Sequence, residues 1–391
     1  MLNPKELAIL LIFSIVTVTA KPQNPKVLGF GSDSTLEVIT WNLEQFPKEG
    51  QVTINYVSDI IQSLDVDVIA LQEIGDISLF NQMVMNLDGY DGYAVPGSYT
   101  DLAYIYKTST IEVNRIYEIY TASSYWAPFP RPPLVLDFQY KNLNFISINN
   151  HLKCCGDGVM DTGDPEDEET RRYRANILLR QYIDEYFPDN RVFIVGDMND
   201  ELTDEVSDNV FQIILNDPEN YLFVDMDIAN GSPGNWSYPN WPSHIDHIAI
   251  TGELFPAFEN QGSVIQTIKA EQGVSGGWSV YENNVSDHRP VGIKLLLPAG
   301  LGFDSPIDNK AAIACYPNPL QESTTISIPP FKGSAELNIS NLSGQLIFTE
   351  SLSEGKSSII WNTTTIPGGI YFARLIINGK TGIVSKLIVI K

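Results

Sequence analysis

Seven short polar motifs follow one another along this chain, each at the edge of a strand-like run of β-branched and aromatic residues. They are Trp41-Asn42-Leu43-Glu44, Leu71-Gln72-Glu73-Ile74, Arg131-Pro132-Pro133-Leu134, Asn149-Asn150-His151-Leu152-Lys153, Gly196-Asp197-Met198-Asn199-Asp200, His244-Ile245-Asp246-His247-Ile248 and Ser286-Asp287-His288-Arg289-Pro290. The chain has four histidines, and all four lie inside these motifs. Histidines kept for packing would not sort themselves this way. Each motif also brings a carboxylate, carboxamide or guanidinium, so the pattern predicts one chemical site fed by several strand ends. Hard oxygen donors, imidazoles that titrate near neutral pH and donors for oxyanions are the parts of a Mg²⁺-dependent phosphoester hydrolase.

The runs themselves read as strands over 36–41, 66–71, 103–106, 134–140, 143–149, 191–195, 245–250 and 291–297. Helical spacing intervenes at 52–64, where Val57, Ile60, Ile61 and Leu64 share a face, and at 172–187, through Ile177, Leu178, Tyr182 and Phe187. Strands mixed with helices predict an α/β class with sheet packed on sheet. Residues 298–312 break the pattern and read as a linker. Beyond them, short alternating strands with almost no helical signal predict a small all-β domain.

The motifs in this order resemble the endonuclease/exonuclease/phosphatase superfamily, over about residues 36–297. The resemblance implies a four-layer α/β/β/α sandwich, with a catalytic domain at 33–297 and the site at one end of the paired sheets. It implies residue roles as well. Glu73, where a buried strand hands a carboxylate to a cleft, is a metal ligand; Asn42 and Asp287 join it as ligands or as partners of metal-bound water. Asp197 holds or activates the attacking water, and Asn199 binds a phosphate oxygen; alternation in extended chain would put both on one face. His288 takes Asp246 as its carboxylate partner. His151 contacts phosphate as an acid, with a partner that the sequence does not locate. Arg131, in a loop stiffened by prolines, suits bidentate phosphate binding. His247 is read as a packed or surface histidine, and Asp200 as a helix cap or turn residue.

The tail phrases Tyr316-Pro317-Asn318-Pro319, Asn341-Leu342-Ser343-Gly344-Gln345, Gly368-Gly369-Ile370-Tyr371 and Lys386-Leu387-Ile388-Val389 resemble the sorting domain of type IX secretion substrates, assigned to 313–391. That implies export through this machinery and removal of the tail. Residues 1–20 read as a signal peptide: an apolar stretch at 7–18 precedes small residues and is shorter than the roughly 20 residues needed to span a bilayer. No other segment reads as transmembrane, so a secreted or surface-bound monomer is expected.

Composition bounds the substrate. The net charge of −24 excludes a generic polyanion-binding surface. Phosphate contacts must come from the metal, Arg131, Lys153, Arg171 and Arg172. The expectation is a Mg²⁺ (or Mn²⁺, with Ca²⁺ possible) endonuclease acting on extracellular nucleic acid. A sphingomyelinase-like phospholipase is the alternative, and a catalytically inactive secreted binding protein is the third class. Seven carboxylates at 157–169 read as a solvated loop or a Ca²⁺ site without EF-hand spacing. The adjacent Cys154 and Cys155 leave two states open, a vicinal disulfide or two thiols.

Overall fold

Strand β1 (Leu36–Phe46) is buried on both faces, and its two sets of side chains enter different cores. Leu36 and Val38 point one way; Ile39, Trp41 and Leu43 point the other. A strand apolar on both sides needs a layer above and a layer below. The computed structural model describes residues 28–96, 101–297, 313, 315–318, 320–328, 331–341, 345–377 and 380–390. The expected signal segment 1–20 and linker 298–312 lie outside them.

The described chain divides into two units, Met1–Gly302 and Phe303–Lys391. In the first, β1 is followed by α1 (Gln51–Leu64), β2 (Val68–Ile74), α2 (Ile77–Met85), β3 (Tyr90–Ala94), β4 (Ala103–Lys107), β5 (Ile111–Glu118), β6 (Leu134–Tyr140), β7 (Leu143–His151), α3 (Glu168–Tyr186), β8 (Arg191–Asp197), β9 (Tyr221–Phe223), β10 (Asp246–Thr251), β11 (Val264–Thr267) and β12 (Val291–Leu295). One sheet has the order β11-β12-β1-β2-β4-β3, the other β5-β6-β7-β8-β10-β9.

Between the sheets, Val38, Val68 and Ile293 pack with Leu136, Phe138, Phe193 and Ile248. Outside the first sheet, Ile60 and Leu64 of α1 and Phe80 of α2 cover Trp41 and Leu71. Outside the second, Ala175, Leu179 and Ile183 of α3 cover Ile148 and Ile194. These are the four layers of the expected α/β/β/α sandwich. Each large apolar side chain sealed in them contributes about 1.5–3 kcal/mol of transfer free energy against the entropy of ordering the chain.

Helix α3 departs from expectation at its start and in its face. Asp167 caps it by accepting from the Thr170 N–H at 2.8 Å, one turn before the apolar spacing begins. Its buried stripe is Glu169, Arg172, Ala175, Asn176, Leu179 and Ile183, not the stripe through Ile177 and Leu178. Polar groups with internal partners occupy that stripe, so apolar periodicity could not reveal it. Among the described residues no helix is long and apolar enough to cross a membrane.

The second unit is all β. Strands β13 (Cys315–Tyr316), β14 (Ser323–Ser327), β15 (Ala335–Asn341), β16 (Leu346–Leu352), β17 (Ser358–Asn362), β18 (Gly369–Ile377) and β19 (Lys380–Val389) form sheets β13-β14-β17 and β16-β15-β18-β19. They close on Leu337, Ile339, Trp361, Leu375 and Leu387.

Candidate active site

Side-chain parity builds the site. Along β1, β2, β7 and β8, the residues facing the opposite sheet are apolar at first and polar near the C-terminal end: Thr40 and Asn42, Gln72, Asn149 and His151, and Asp197. Strand β10 runs antiparallel to β8 and begins with Asp246 paired to Asp197. His151 pairs with Asp197 on its other side. The polar ends therefore meet over one edge of the inner core. Gln72 Nε2 fixes the two sheets there by donating to Asn149 Oδ1 at 2.7 Å.

Two imidazole–carboxylate pairs face one another across this edge. His288 Nδ1 lies 2.7 Å from Asp246 Oδ2, and His151 Nδ1 lies 2.7 Å from Asp101 Oδ1. Their Nε2 atoms converge on Asp197 Oδ2, at 3.9 and 3.8 Å. Burial disfavours the charged form of both rings, yet the carboxylates overcome it. Asp246, with Asp197 and Asp287, pushes His288 up to about 10. Asp101, with Asp197, raises His151 from its usual value. Burial and then the charge of Asp246 hold Asp197 above the ordinary carboxylate range. His288 thus favours its charged, proton-donating form at neutral pH, and Asp101 shifts His151 in the same direction.

Asp101 is the partner of His151 that the sequence does not locate. It also binds Arg131 Nε at 3.1 Å, and Arg131 Nη1 donates to the Leu152 carbonyl at 3.3 Å. Arg131 is thereby held beside His151.

Asn42 Nδ2 donates to Glu73 Oε1 at 3.1 Å and to Asp197 Oδ2 at 2.9 Å. The other Glu73 oxygen accepts from the Gln45 N–H at 3.0 Å. Asp287 is anchored by its N–H to Glu44 Oε2 at 2.9 Å, and burial together with Glu44 raises its carboxyl to about 6. Asp246 Oδ1 is buried without a hydrogen-bond partner. Glu44, Glu73, Asp197, Asp246 and Asp287 thus gather more negative charge than the nearby cations offset. Glu73 keeps 28% of its side chain exposed. Hard oxygens, unbalanced charge and access to water fit a divalent cation that retains part of its hydration shell.

Backbone strain concentrates here. Glu44, Gln45, Glu73 and Asn199 all have positive φ, at 43, 54, 61 and 54°. Non-glycine residues hold such angles only where their surroundings enforce them. Asn199 accordingly leaves extended geometry, so alternation with Asp197 does not place it. A turn does: its N–H donates to Asp197 Oδ1 at 3.1 Å and its Nδ2 to the Leu152 carbonyl at 3.2 Å. Gly196 is required just before, because a Cβ there would fall 2.0 Å from the Asn150 carbonyl oxygen.

The remaining histidines form a knot behind the cleft. His247 Nδ1 lies 2.6 Å from Asp225 Oδ2 and its Nε2 lies 2.9 Å from the Asp200 carbonyl, so both nitrogens face acceptors, and against the pull of burial Asp225 raises the ring above its usual value. His244 Nε2 meets the same Asp225 oxygen at 3.0 Å, while its Nδ1 accepts from the Ser237 N–H. That tautomer leaves no lone pair for a metal. Two of the expected phosphate contacts, Arg172 and Arg171, are corrected. Arg172 is buried, bound to Asp200 at 2.7 Å and Glu169 at 3.1 Å. Arg171 is buried and donates to the Ala127 carbonyl at 2.6 Å. Lys153 is engaged with the Cys154 carbonyl at 2.8 Å and Glu168 at 3.6 Å.

Two stacked sheets between helices, with imidazoles and carboxylates at one end, form a sandwich of the hydrolase type. The chain belongs to the endonuclease/exonuclease/phosphatase family, whose sequence pattern matches residues 39–288. A secretion system C-terminal sorting domain matches residues 314–391. That domain, of the type IX kind, indicates secretion or a surface location. D. rerio TDP2, crystallised with a single-strand DNA product, shares the fold at 14% identity and a TM-score of 0.51, covering 67% of this chain and 99% of that one. The human Nocturnin catalytic domain aligns at 14% identity and a TM-score of 0.48, over 67% of this chain and 94% of that one. A Bacteroides thetaiotaomicron family member aligns at 17% and 0.46, over 68% and 98%. No curated protein matches the chain.

Proposed function

We propose that this chain is an exported, divalent-metal-dependent phosphodiester hydrolase that cuts extracellular nucleic acid. The observation that carries this reading is the convergence of two carboxylate-backed imidazole rings on Asp197 Oδ2, at 3.8 and 3.9 Å. Asp197, made more basic by burial and by Asp246, positions the attacking water and accepts its proton. His288 and His151 donate from Nε2 to oxygens whose negative charge grows as the phosphorus centre becomes five-coordinate. Asn199 and Arg131 orient the phosphate. Glu73 and Asp287 would hold Mg²⁺ or Mn²⁺, with Asn42 clamping Glu73. When bound there, the ion supplies a positive charge against the phosphate and the leaving oxygen.

Residues 33–297 form the catalytic domain of this scheme. Residues 1–20 are a signal peptide, 298–312 a linker and 313–391 the tail that engages the type IX machinery; the enzyme works as a monomer. Support for nucleic acid comes from the DNA product held by the D. rerio protein of the same fold. A second reading, a phospholipase acting on sphingomyelin-like lipids, is favoured by Trp241 and Trp126, which are 80% and 58% exposed. An inactive binding protein would have no need of two intact imidazole–carboxylate pairs. Purified chain assayed with Mg²⁺, Mn²⁺ and Ca²⁺ against plasmid DNA, RNA, sphingomyelin and an inositol phosphate decides among them. Cleavage of DNA or RNA supports the nuclease, and hydrolysis of sphingomyelin alone sinks it.

A further inference from the structure

Cys154 and Cys155 follow β7 immediately after His151-Leu152-Lys153, and both are free thiols. The Cys155 S–H donates to Cys154 Sγ at 2.9 Å. Lys153 Nζ approaches the same sulfur at 3.9 Å while donating to the Cys154 carbonyl at 2.8 Å. Cys154 Sγ therefore has two donors within reach. The bond to Cys154 holds the Cys155 thiol above its ordinary value, which keeps Cys155 protonated. Cys155 is exposed and sits at φ 71°, a strained angle for a residue with a Cβ.

The turn is clamped from inside. Arg172 Nη1 donates to the Lys153 and Cys155 carbonyls at 2.8 and 2.7 Å, and its Nε donates to Asp200 at 2.7 Å. The backbone on either side of Cys154 is thus held by a buried guanidinium that also grips Asp200, the neighbour of Asn199.

We propose that Cys154 and Cys155 are a reversible dithiol–disulfide couple that exchanges with low-molecular-weight disulfides. Cys154, on giving its proton to solvent, attacks one sulfur of the external disulfide, forming a mixed disulfide and expelling a thiolate. That thiolate takes the Cys155 proton. Cys155 then attacks the Cys154 sulfur, closing the vicinal disulfide and releasing the second small thiolate, which takes up the proton that Cys154 gave to solvent. The protein loses two electrons and two protons, and one external disulfide becomes two thiols. Adjacent Cα atoms stand about 3.8 Å apart, below the roughly 4.4–6.8 Å of relaxed disulfides, and such strain makes the bond easy to reduce. The couple is consequently a redox-responsive element and not a structural staple.

The test uses the full chain, treated with oxidised glutathione, quenched in acid, alkylated and digested. The expected result is loss of two hydrogens within the single peptide carrying both cysteines, reversed by excess reduced glutathione. Cys155→Ser and Cys154→Ser are each expected to stop at a glutathione adduct on the remaining cysteine, with no loss of two hydrogens. Two alkylated thiols after oxidation, stable adducts on both cysteines of the unsubstituted chain, or a cross-link from either to Cys315 would each overturn the proposal. So would a vicinal disulfide that excess reduced glutathione leaves closed, or loss of two hydrogens in either serine variant.

Discussion

The Asp101 carboxylate lies 2.7 Å from Nδ1 of His151 and also receives the Arg131 guanidinium at 3.1 Å. One side chain therefore fixes both the protonation of a ring aimed at Asp197 and the position of a cation beside it. Asp101→Asn keeps the shape but removes the charge. We expect kcat to fall by about 10²–10⁴-fold, the range for loss of one proton-transfer group, with little change in Tm. Steady-state kinetics and a thermal melt check this; an unchanged kcat removes Asp101 from the mechanism.

Glu73→Gln and His288→Ala are each expected to abolish turnover while the protein stays folded. The first removes a charged oxygen from the proposed metal end of the cleft. The second removes the ring that Asp246 holds at 2.7 Å. Assays at saturating metal beside circular dichroism are decisive, and near wild-type rates in either variant refute the site.

Alkaline stability should depend on a pair far from the cleft. Glu37 and Asp67, at the opposite ends of β1 and β2 from Asn42 and Glu73, are both buried, and the Glu37 N–H donates to Asp67 at 3.1 Å. Burial, with the charge of Asp67, raises Glu37 from 4.5 to about 8. The folded chain thus binds a proton that the unfolded chain has already released above 4.5. Stability is full below that value and declines as pH rises through about 8. Glu37→Gln should flatten the decline; denaturant midpoints on both sides of the window test it, and an identical slope in the variant contradicts the assignment.

The tail from about Cys315 is expected to be missing from the mature protein in native culture medium. The sorting-domain match over 314–391 motivates this. Intact mass is the measurement, and a species that still contains Lys391 overturns the expectation.

Salt dependence should be shallow. With Arg171 and Arg172 buried against internal partners and Lys153 engaged, Arg131 is the guanidinium left beside the cleft. The logarithmic slope of DNA affinity on salt is about −0.9 per phosphate neutralised, so few contacts give a small slope. Cleavage of DNA should persist at marine-like ionic strength with millimolar-range divalent ion. Uncut DNA and RNA alongside hydrolysed sphingomyelin would reassign Trp126 and Trp241 to membrane contact.

Central strands were legible in the sequence because both their faces are apolar: β1, β2, β4, β6, β7, β8, β10 and β12 all coincide with strand-like runs. The four strands without a signal, β3, β5, β9 and β11, are the outer strands of their sheets. Edge strands carry mixed or polar residues such as Glu112, Asn114 and Arg115 in β5, so burial leaves no alternation to read. The same logic divides the site. His151, Asp197, Asp246 and His288 sit in strand-end motifs, whereas Asp101 precedes a strand outside any of them. Asp225 is likewise visible only through the rings it joins. Glu44 lay within a motif, but nothing local tied it to Asp287 across the fold.

The pairing of apolar core and polar cleft on one side of each strand makes the cleft an address written in odd and even positions. Inserting one residue early in β8 would turn Asp197 outward toward α3 and bring Gly196 or Met198 inward, erasing the chemistry while leaving a strand that still reads as apolar. Inserting two residues would restore the side and shift only the height. Lineages that remodel this sandwich should therefore tolerate length changes in its loops freely, and within its central strands only in steps of two.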